Sequence, residues 1–184
     1  MFSLAVVSVI LPFEALLASQ ILLVNLLSDF PAMALATDNV DPEQVQRPRR
    51  WDVKFILRFM MSFGFASSLF DFLTFGSILL VFGWQDHELF RTGWFVESTL
   101  TGLMILLVVR TQRPFLLSRP GTLFLITESL VAVLALSLPF SPLGPTLGFV
   151  VPSIGLIGIV LGITLLYGLG MEVIKRLFYR YAGV

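Results

Sequence analysis

Five runs of apolar residues, each about long enough to cross a lipid bilayer, constrain this sequence more than any other feature. They cover residues 15–36, 55–82, 94–109, 122–138 and 150–174. A helix that crosses the hydrocarbon core needs about 20 apolar residues, and it satisfies its own backbone hydrogen bonds there. The sequence therefore predicts an all-α fold. We expect a polytopic helical membrane protein with five full transmembrane helices in a single membrane domain, residues 1–184.

The first 14 residues predict a shorter element ahead of these spans. Residues 1–11 are also apolar, but at about 1.5 Å per residue a helix of that length reaches only about 16 Å, half the thickness of a bilayer core. Pro12 and Glu14 then interrupt the apolar pattern. We expect residues 1–14 to form a truncated half-span followed by a turn at the outer surface.

The composition agrees with a lipid-embedded chain and excludes several classes of function. Hydrophobic residues make up 57% of the chain and charged residues 13%, against roughly 45–50% and about 25% in soluble domains. The formal net charge is zero, so no nucleic-acid partner is expected. Because there is no cysteine and only one histidine, His87, thiolate and multi-histidine metal sites are excluded. The expected partner is the lipid bilayer, and no cofactor is expected on this chain alone.

The basic residues predict how the chain is oriented. Eleven of the twelve lie in or beside alternate connections and in the tail: Arg47, Arg49, Arg50, Lys54, Arg58, Arg110, Arg113, Arg119, Lys175, Arg176 and Arg180. Cytoplasmic connections of membrane proteins carry an excess of Lys and Arg. The pattern therefore predicts a cytoplasmic loop at 38–52 and a cytoplasmic C-terminus in a multi-pass protein of the cell (inner) membrane.

Five carboxylates lie in or near the apolar runs: Glu14, Asp29, Asp71, Glu97 and Glu128. An ionisable residue inside the membrane is costly, and it is by default a candidate for function. For most of these acids we favour a plainer interpretation, a hydrogen bond between helices or a protonated acid. Asp71 and Glu97 remain weaker candidates for an intramembrane site.

Asp29 differs from the other acids because of its neighbours. Asn25, Ser28 and Asp29 are spaced i, i+3 and i+4, which places them on one face of a helix. All three offer oxygen atoms, the ligands that Mg²⁺ and Ca²⁺ prefer. Pro31 has no N–H and disrupts the helical ladder at the carbonyl of Leu27, and broken helices at mid-membrane often build ion sites. The residues alone predict a cation or proton site.

The stretch QILLVNLLSDFPAMALATDNVD, residues 20–41, resembles the sixth transmembrane helix of P-type cation-transporting ATPases. Three further stretches resemble the bacterial magnesium-transporting subfamily: RPRRWDVKFILRFMMSFGFASSLFDFLTF, FRTGWFVESTLTGLMILLVVRTQRPF and LPFSPLG. The resemblance implies that the five spans are the sixth to tenth helices of such a pump, and that residues 1–11 are the outer half of the fifth.

The resemblance also implies roles for particular residues. Asn25 and Asp29 match the positions at which the family ligates its transported cation, with Ser28 as a further candidate, and the implied cation is Mg²⁺. Asp71 and Glu97 match family positions but are not expected to be direct ligands of the cation. The family's phosphorylated aspartate, in its DKTGT motif, is absent from the sequence. We therefore expect the chain not to hydrolyse ATP alone, and to work only with the N-terminal remainder of a P-type ATPase supplied in trans.

Two alternatives stay open at the level of sequence. The chain could be a stand-alone membrane scaffold or regulatory partner with no transport of its own. It could also be a non-functional fragment of a split or degraded pump gene.

Overall fold

The computed structural model describes residues 2–39, 53–83 and 85–182, and these residues form six α-helices and no β-strand. The helices are α1 (Phe2–Ile10), α2 (Ala18–Ala34), α3 (Val53–Phe82), α4 (His87–Val109), α5 (Thr122–Ser137) and α6 (Ile154–Ala182). Five segments are long and apolar enough to cross a membrane: Ala18–Thr37, Val53–Phe82, His87–Val109, Thr122–Phe140 and Ile154–Tyr181. The all-α fold, with five membrane helices and a shorter N-terminal helix, is therefore confirmed.

Two of these helices extend well beyond the apolar runs. Helix α4 begins at His87, seven residues before position 94, and Asp86 caps it by accepting a hydrogen bond from the Leu89 amide at 3.1 Å. Helix α6 has 29 residues, which corresponds to about 44 Å, longer than the roughly 30 Å of a bilayer core. The additional turns carry polar and charged residues, so hydropathy alone underestimates these two helices.

Helix α1 is nine residues long, about 14 Å, and it packs against α3. Its Ser3 hydroxyl donates a hydrogen bond to the Asp71 carboxylate of α3. A turn follows α1 and lies against the start of α4: the Phe13 ring stacks on His87 with centroids 3.9 Å apart, and Arg91 Nε donates to the Glu14 carbonyl at 2.9 Å. We call this end of the bundle the outer end.

Helix α4 is the central helix of the bundle. It packs against α2, α3, α5 and α6. Within its most apolar 18-residue stretch, 61% is buried, against 22–39% in the corresponding stretches of the other four spans. Aromatic side chains fill the space around it. Trp94 meets Phe75 and Phe90 edge-on at 5.0 and 5.7 Å, and Phe95 lies 4.4 Å from Phe149. Helices α2 and α3, although consecutive, are not among the pairs that pack extensively within the described residues.

The outer connection between α5 and α6 is a compact turn that packs against the start of α2. It contains two 3₁₀ turns, Leu138–Phe140 and Pro145–Leu147. Gly148 follows with φ +76°, a left-handed conformation that favours glycine. The buried Gln20 amide donates to the carbonyls of Leu147 and Gly148 at 3.0 and 3.3 Å. The outer end of α2 is thereby held in place.

The opposite end, which we call the inner end, collects the basic connections that the structure describes. Arg110 pairs with Asp38 there, and Lys175 of α6 donates to the carbonyl of Arg113. The loop Arg110–Gly121 thus lies beside both the residues that follow α2 and the last turns of α6. Of the predicted cytoplasmic loop 38–52, Asp38 and Asn39 lie at this end, whereas 40–52, with Arg47, Arg49 and Arg50, lie outside the described residues.

Candidate functional site

Helix α2 carries the predicted cation ligands in its middle. Its outer end is fixed by Gln20, whose side-chain oxygen also accepts a hydrogen bond from the Leu17 amide at 3.0 Å. Its packed stripe consists of Gln20, Val24, Leu27, Pro31 and Ala34. Between these buried positions, the sequence spacing puts polar side chains on the remaining surface of the helix.

Asn25 and Asp29 are both exposed side chains on α2. Ser28 is half-buried, its hydroxyl donates to the Val24 carbonyl at 2.8 Å, and it lies near Gly102 of α4. Within the described ranges, no group of three or more His, Asp or Glu side chains is close enough to hold a metal ion. The two predicted ligands therefore face away from the described helices, and the assignment of a metal site to them stays a prediction.

Pro31 weakens α2 without ending it. The helix continues past Pro31 to Ala34 and then tightens into the 3₁₀ turn Leu35–Thr37. Because proline lacks an N–H, the carbonyl of Leu27 loses its partner in the helical ladder. The sequence leads one to expect a disrupted helix at this point. The structure shows a helix that continues through Pro31, two residues after Asp29.

A cavity of about 180 Å³, lined by both polar and apolar side chains, lies beside α2 and between α1, α3, α4 and α6. Its polar lining consists of Ser3, Ser67, Asp71, Ser98, Thr101 and Tyr167. Ile21 and Val24 of α2 form part of the same wall. A site of this size and polarity can hold several water molecules, each of which takes about 30 Å³ in the liquid.

Asp71 and Glu97 are the two carboxylates in this region. Asp71 lines the cavity, where it accepts a hydrogen bond from Ser3, and Glu97 is close enough to interact with it electrostatically. Glu97 is 0% exposed, and neither carboxylate oxygen has a hydrogen-bond partner among the described residues. The Thr74 hydroxyl lies nearby, but its single proton is donated to the Phe70 carbonyl at 3.1 Å.

Asp71 and Glu97 thus lie inside the bundle, whereas Asn25 and Asp29 are exposed on the surface of α2. A buried carboxylate without a partner is costly, and a proton, water or a cation would offset that cost. Glu128 of α5 is a further acid of this kind, 5% exposed with one oxygen unpartnered among the described residues. It lies apart from the cavity lining.

Some residues that line the cavity could not be predicted from the sequence. Ser3 lies 68 residues from its partner Asp71, and the Ser67 hydroxyl meets the Tyr167 hydroxyl 100 residues away, at 3.2 Å. One local signal exists, because Ser67 and Asp71 are four residues apart and share a helical face. Serine and tyrosine are, however, common in membrane helices, so that spacing alone does not identify a cavity.

The sequence of the chain is similar to a described protein family and to magnesium-transporting ATPases. It matches the family described as "Cation transporting ATPase, C-terminus" over residues 13–177. It is 35% identical to a magnesium-transporting ATPase, P-type 1, of Salmonella typhimurium strain LT2, over 186 aligned positions that cover 99% of the chain and 20% of that protein.

Two further relatives have the same name. One from Salmonella typhimurium strain 14028s is 44% identical and one from Escherichia coli K12 is 42% identical, each over 146 positions that cover 77% of the chain and 16% of the relative. The chain therefore spans about one fifth or less of the length of these relatives.

Proposed function

The chain belongs to the family of C-terminal regions of cation-transporting ATPases, and from this we propose that it forms the membrane part of a P-type pump that moves Mg²⁺. The proposal is supported by similarity to magnesium-transporting ATPases along nearly the whole chain. The five membrane helices are consistent with it, because an ion that crosses a bilayer needs a polar path shielded from lipid.

We assign the cation contact to Asn25 and Asp29, with Ser28 as a further candidate. One observation carries this assignment: the carboxylate and the amide lie exposed in the middle of an apolar helix. A carboxylate facing hydrocarbon is costly, so another part of the pump must cover this surface of α2. Mg²⁺ usually keeps several waters and takes only one or two carboxylates from protein, which fits a ligand set as small as this one.

Asp71 and Glu97 have a different place in this proposal. Asp71 lines the cavity beside α2, and Glu97 is fully buried within the bundle, so in this proposal the two acids support the site from inside the bundle and are not direct ligands of the ion. Because the cavity leaves unfilled volume beside α2, α2 can shift against it with less loss of packing than against a close-packed core.

The energy for transport comes, in this proposal, from regions outside the chain. The relatives are about five or more times as long, and we expect their remaining regions to bind ATP and to carry the phosphorylated aspartate. The chain alone would not hydrolyse ATP. Its partner would be the N-terminal remainder of the pump, in the cell (inner) membrane, and the inner end with its basic residues would face the cytoplasm.

Co-expression or fusion of the chain with the remaining regions of a magnesium-transporting ATPase tests the proposal. We expect Mg²⁺-stimulated ATP hydrolysis and Mg²⁺ uptake in proteoliposomes. Asp29→Asn should raise the Mg²⁺ concentration for half-maximal activity by about tenfold or more, which corresponds to roughly 1.4 kcal/mol of binding energy. Glu14→Gln, an exposed acid in the outer turn, is the matched control and should leave that concentration unchanged.

Two results would count against the assignment. If Asp29→Asn left both activity and Mg²⁺ dependence unchanged, the cation contact would lie elsewhere. If the chain bound a pump without conferring Mg²⁺-stimulated activity, it would be a stand-alone partner of that pump instead.

A further inference from the structure

The loop Arg110–Gly121 holds the inner end of α2, and we propose that its buried ion pair with Asp38 positions Asn25 and Asp29 for the cation. The two side chains of this pair are 1% and 8% exposed. We call the contacts that join Asp38 to the loop the inner clasp. This inference rests on the proposed function for its link to Mg²⁺, whereas the clasp itself can be measured independently.

Asp38 is held by both of its carboxylate oxygens. One oxygen lies 2.9 Å from Arg110 Nη1, and the other accepts a hydrogen bond from the Gly121 amide. Arg110 Nη2 donates to the Ser118 carbonyl at 2.9 Å. The guanidinium thus connects the residue after α2 to the loop through two separate donors, a geometry that lysine cannot reproduce.

At Gly121 the loop lies so close to the residues that follow α2 that a side chain would not fit between them without displacement. A Cβ at that position would lie 3.2 Å from the Asp38 Cα and 3.3 Å from the Thr37 carbonyl. The backbones of the two segments therefore approach each other directly. A larger residue at position 121 would push the end of α2 away from α5.

The loop is itself fixed to α6, so the clasp does not move freely. Lys175 is 1% exposed, and its ammonium donates to the carbonyls of Val108 and Arg113 at 2.9 and 2.8 Å. It also pairs with Glu172 at 2.8 Å, and that carboxylate accepts a hydrogen bond from the Phe115 amide at 3.4 Å. Through these contacts the inner end of α2 is tied to the two most extensively packed helices, α4 and α6.

Helix α2 needs a clasp at this end because Pro31 interrupts its ladder. Gln20 fixes the helix at the outer end, but the missing hydrogen bond at Leu27 weakens the connection between the two halves of α2. Asp29 lies next to this weak point, nine residues before Asp38, or about 14 Å along the axis. The rotation of α2 at Asp29 is therefore determined by contacts at both ends. Loss of the inner clasp should let the ligand pair turn or tilt.

Spin labelling tests the clasp directly, and the chain suits it because it contains no native cysteine. Labels at Ala36→Cys and Leu117→Cys, both exposed positions, report the distance between the end of α2 and the loop. We expect a narrow distance distribution in the otherwise unmodified chain in nanodiscs. Asp38→Ala and Arg110→Ala should each broaden it. Arg176→Gln, which removes an exposed charge from the same end, should not.

A second measurement connects the clasp to the cation. In the complete pump, the same two alanine variants should raise the KM for Mg²⁺ by about 10-fold, as residues that orient metal ligands typically do, while kcat stays nearly unchanged. Unchanged distance distributions in both variants would overturn the clasp. Broadened distributions with an unchanged KM would overturn its positioning role.

Two further outcomes are also informative. If the alanine variants do not fold, hydrogen exchange of the Gly121 amide in the unmodified chain decides: slow exchange supports its bond to Asp38, and exchange as fast as in an open loop overturns it. If Asp29→Asn has no effect on Mg²⁺ dependence, the proposed function fails, but the distance measurements still report on the clasp.

Discussion

Replacing Lys175 with methionine should destabilise the bundle strongly, because this buried ammonium has three partners. Lys175 Nζ lies within 2.9 Å of the carbonyls of Val108 and Arg113 and of the Glu172 carboxylate. Methionine is similar in length and fills the space, so the change removes the charge and its donors without leaving a large cavity. The effect therefore measures the polar contacts and not lost packing.

The magnitude follows from what the substitution leaves behind. Breaking a buried ion pair by removing one partner costs about 3–5 kcal/mol, and each buried carbonyl left unsatisfied costs about 1–3 kcal/mol. Glu172 keeps a contact with Arg176 at 3.3 Å and with the Phe115 amide at 3.4 Å, which offsets part of the loss. We expect a decrease of about 3–4 kcal/mol in the free energy of unfolding.

Unfolding in mixed micelles of increasing SDS content measures this difference, with tryptophan fluorescence as the reporter. Trp94, one of the three tryptophans of the chain, is 3% exposed. Arg176→Met is the matched control. It removes the other cation that contacts Glu172, but its side chain is 64% exposed, so its loss should cost at most about 1 kcal/mol. The double variant Glu172→Gln with Lys175→Met removes both buried charges and should cost less than the sum of the two single changes.

The reasoning is refuted if Lys175→Met and Arg176→Met lower the stability by the same amount. It is also refuted if the double variant is simply additive, because additivity would mean that the buried pair contributes no coupling energy.

Two substitutions test packing elsewhere in the bundle, with the same unfolding assay. Gly148→Ala should cost about 1–3 kcal/mol, because the residue has φ +76° and a Cβ would lie 2.6 Å from Leu17 Cδ1; Gly158→Ala, in open space on α6, should be neutral or stabilising by up to about 1 kcal/mol. Phe95→Ala should cost about 3–5 kcal/mol because the side chain is fully buried, whereas Phe65→Ala, 80% exposed, should have little effect. Equal costs within either pair would contradict the packing described here.

The number and class of the helices could be predicted from the sequence because both depend on local information. An apolar run about as long as a bilayer is thick has few alternatives to a membrane helix. The ends of α4 and α6 were less predictable. By hydropathy, Asp86 is predicted to be a loop residue, yet it is a favourable helix cap. In addition, a helix that extends past the membrane surface continues in polar sequence, which hydropathy does not detect.

The candidate site, too, could be predicted from the sequence only in part. The spacing of Asn25, Ser28 and Asp29 predicts their arrangement on a helix, which α2 provides. Which side of α2 faces other helices depends on tertiary packing, and no local pattern indicates it. The Asp38–Arg110 pair joins residues 72 apart, and each residue taken alone is typical of a charged membrane connection, so this contact could be found only in the structure.

The central place of α4 has a consequence for how the chain is made. Helices α2 and α3 leave the ribosome before α4, and they do not pack extensively on one another within the described residues. After insertion α3 has, among the described helices, only the short helix α1 to pack against, and α2 has no extensive interface with α3, until α4 enters the bilayer. A nascent chain that stops after α3 would hold two spans without an extensive shared interface, whereas one that includes α4 could begin to assemble. We expect the insertion machinery to shelter α2, with its exposed Asp29, during that interval.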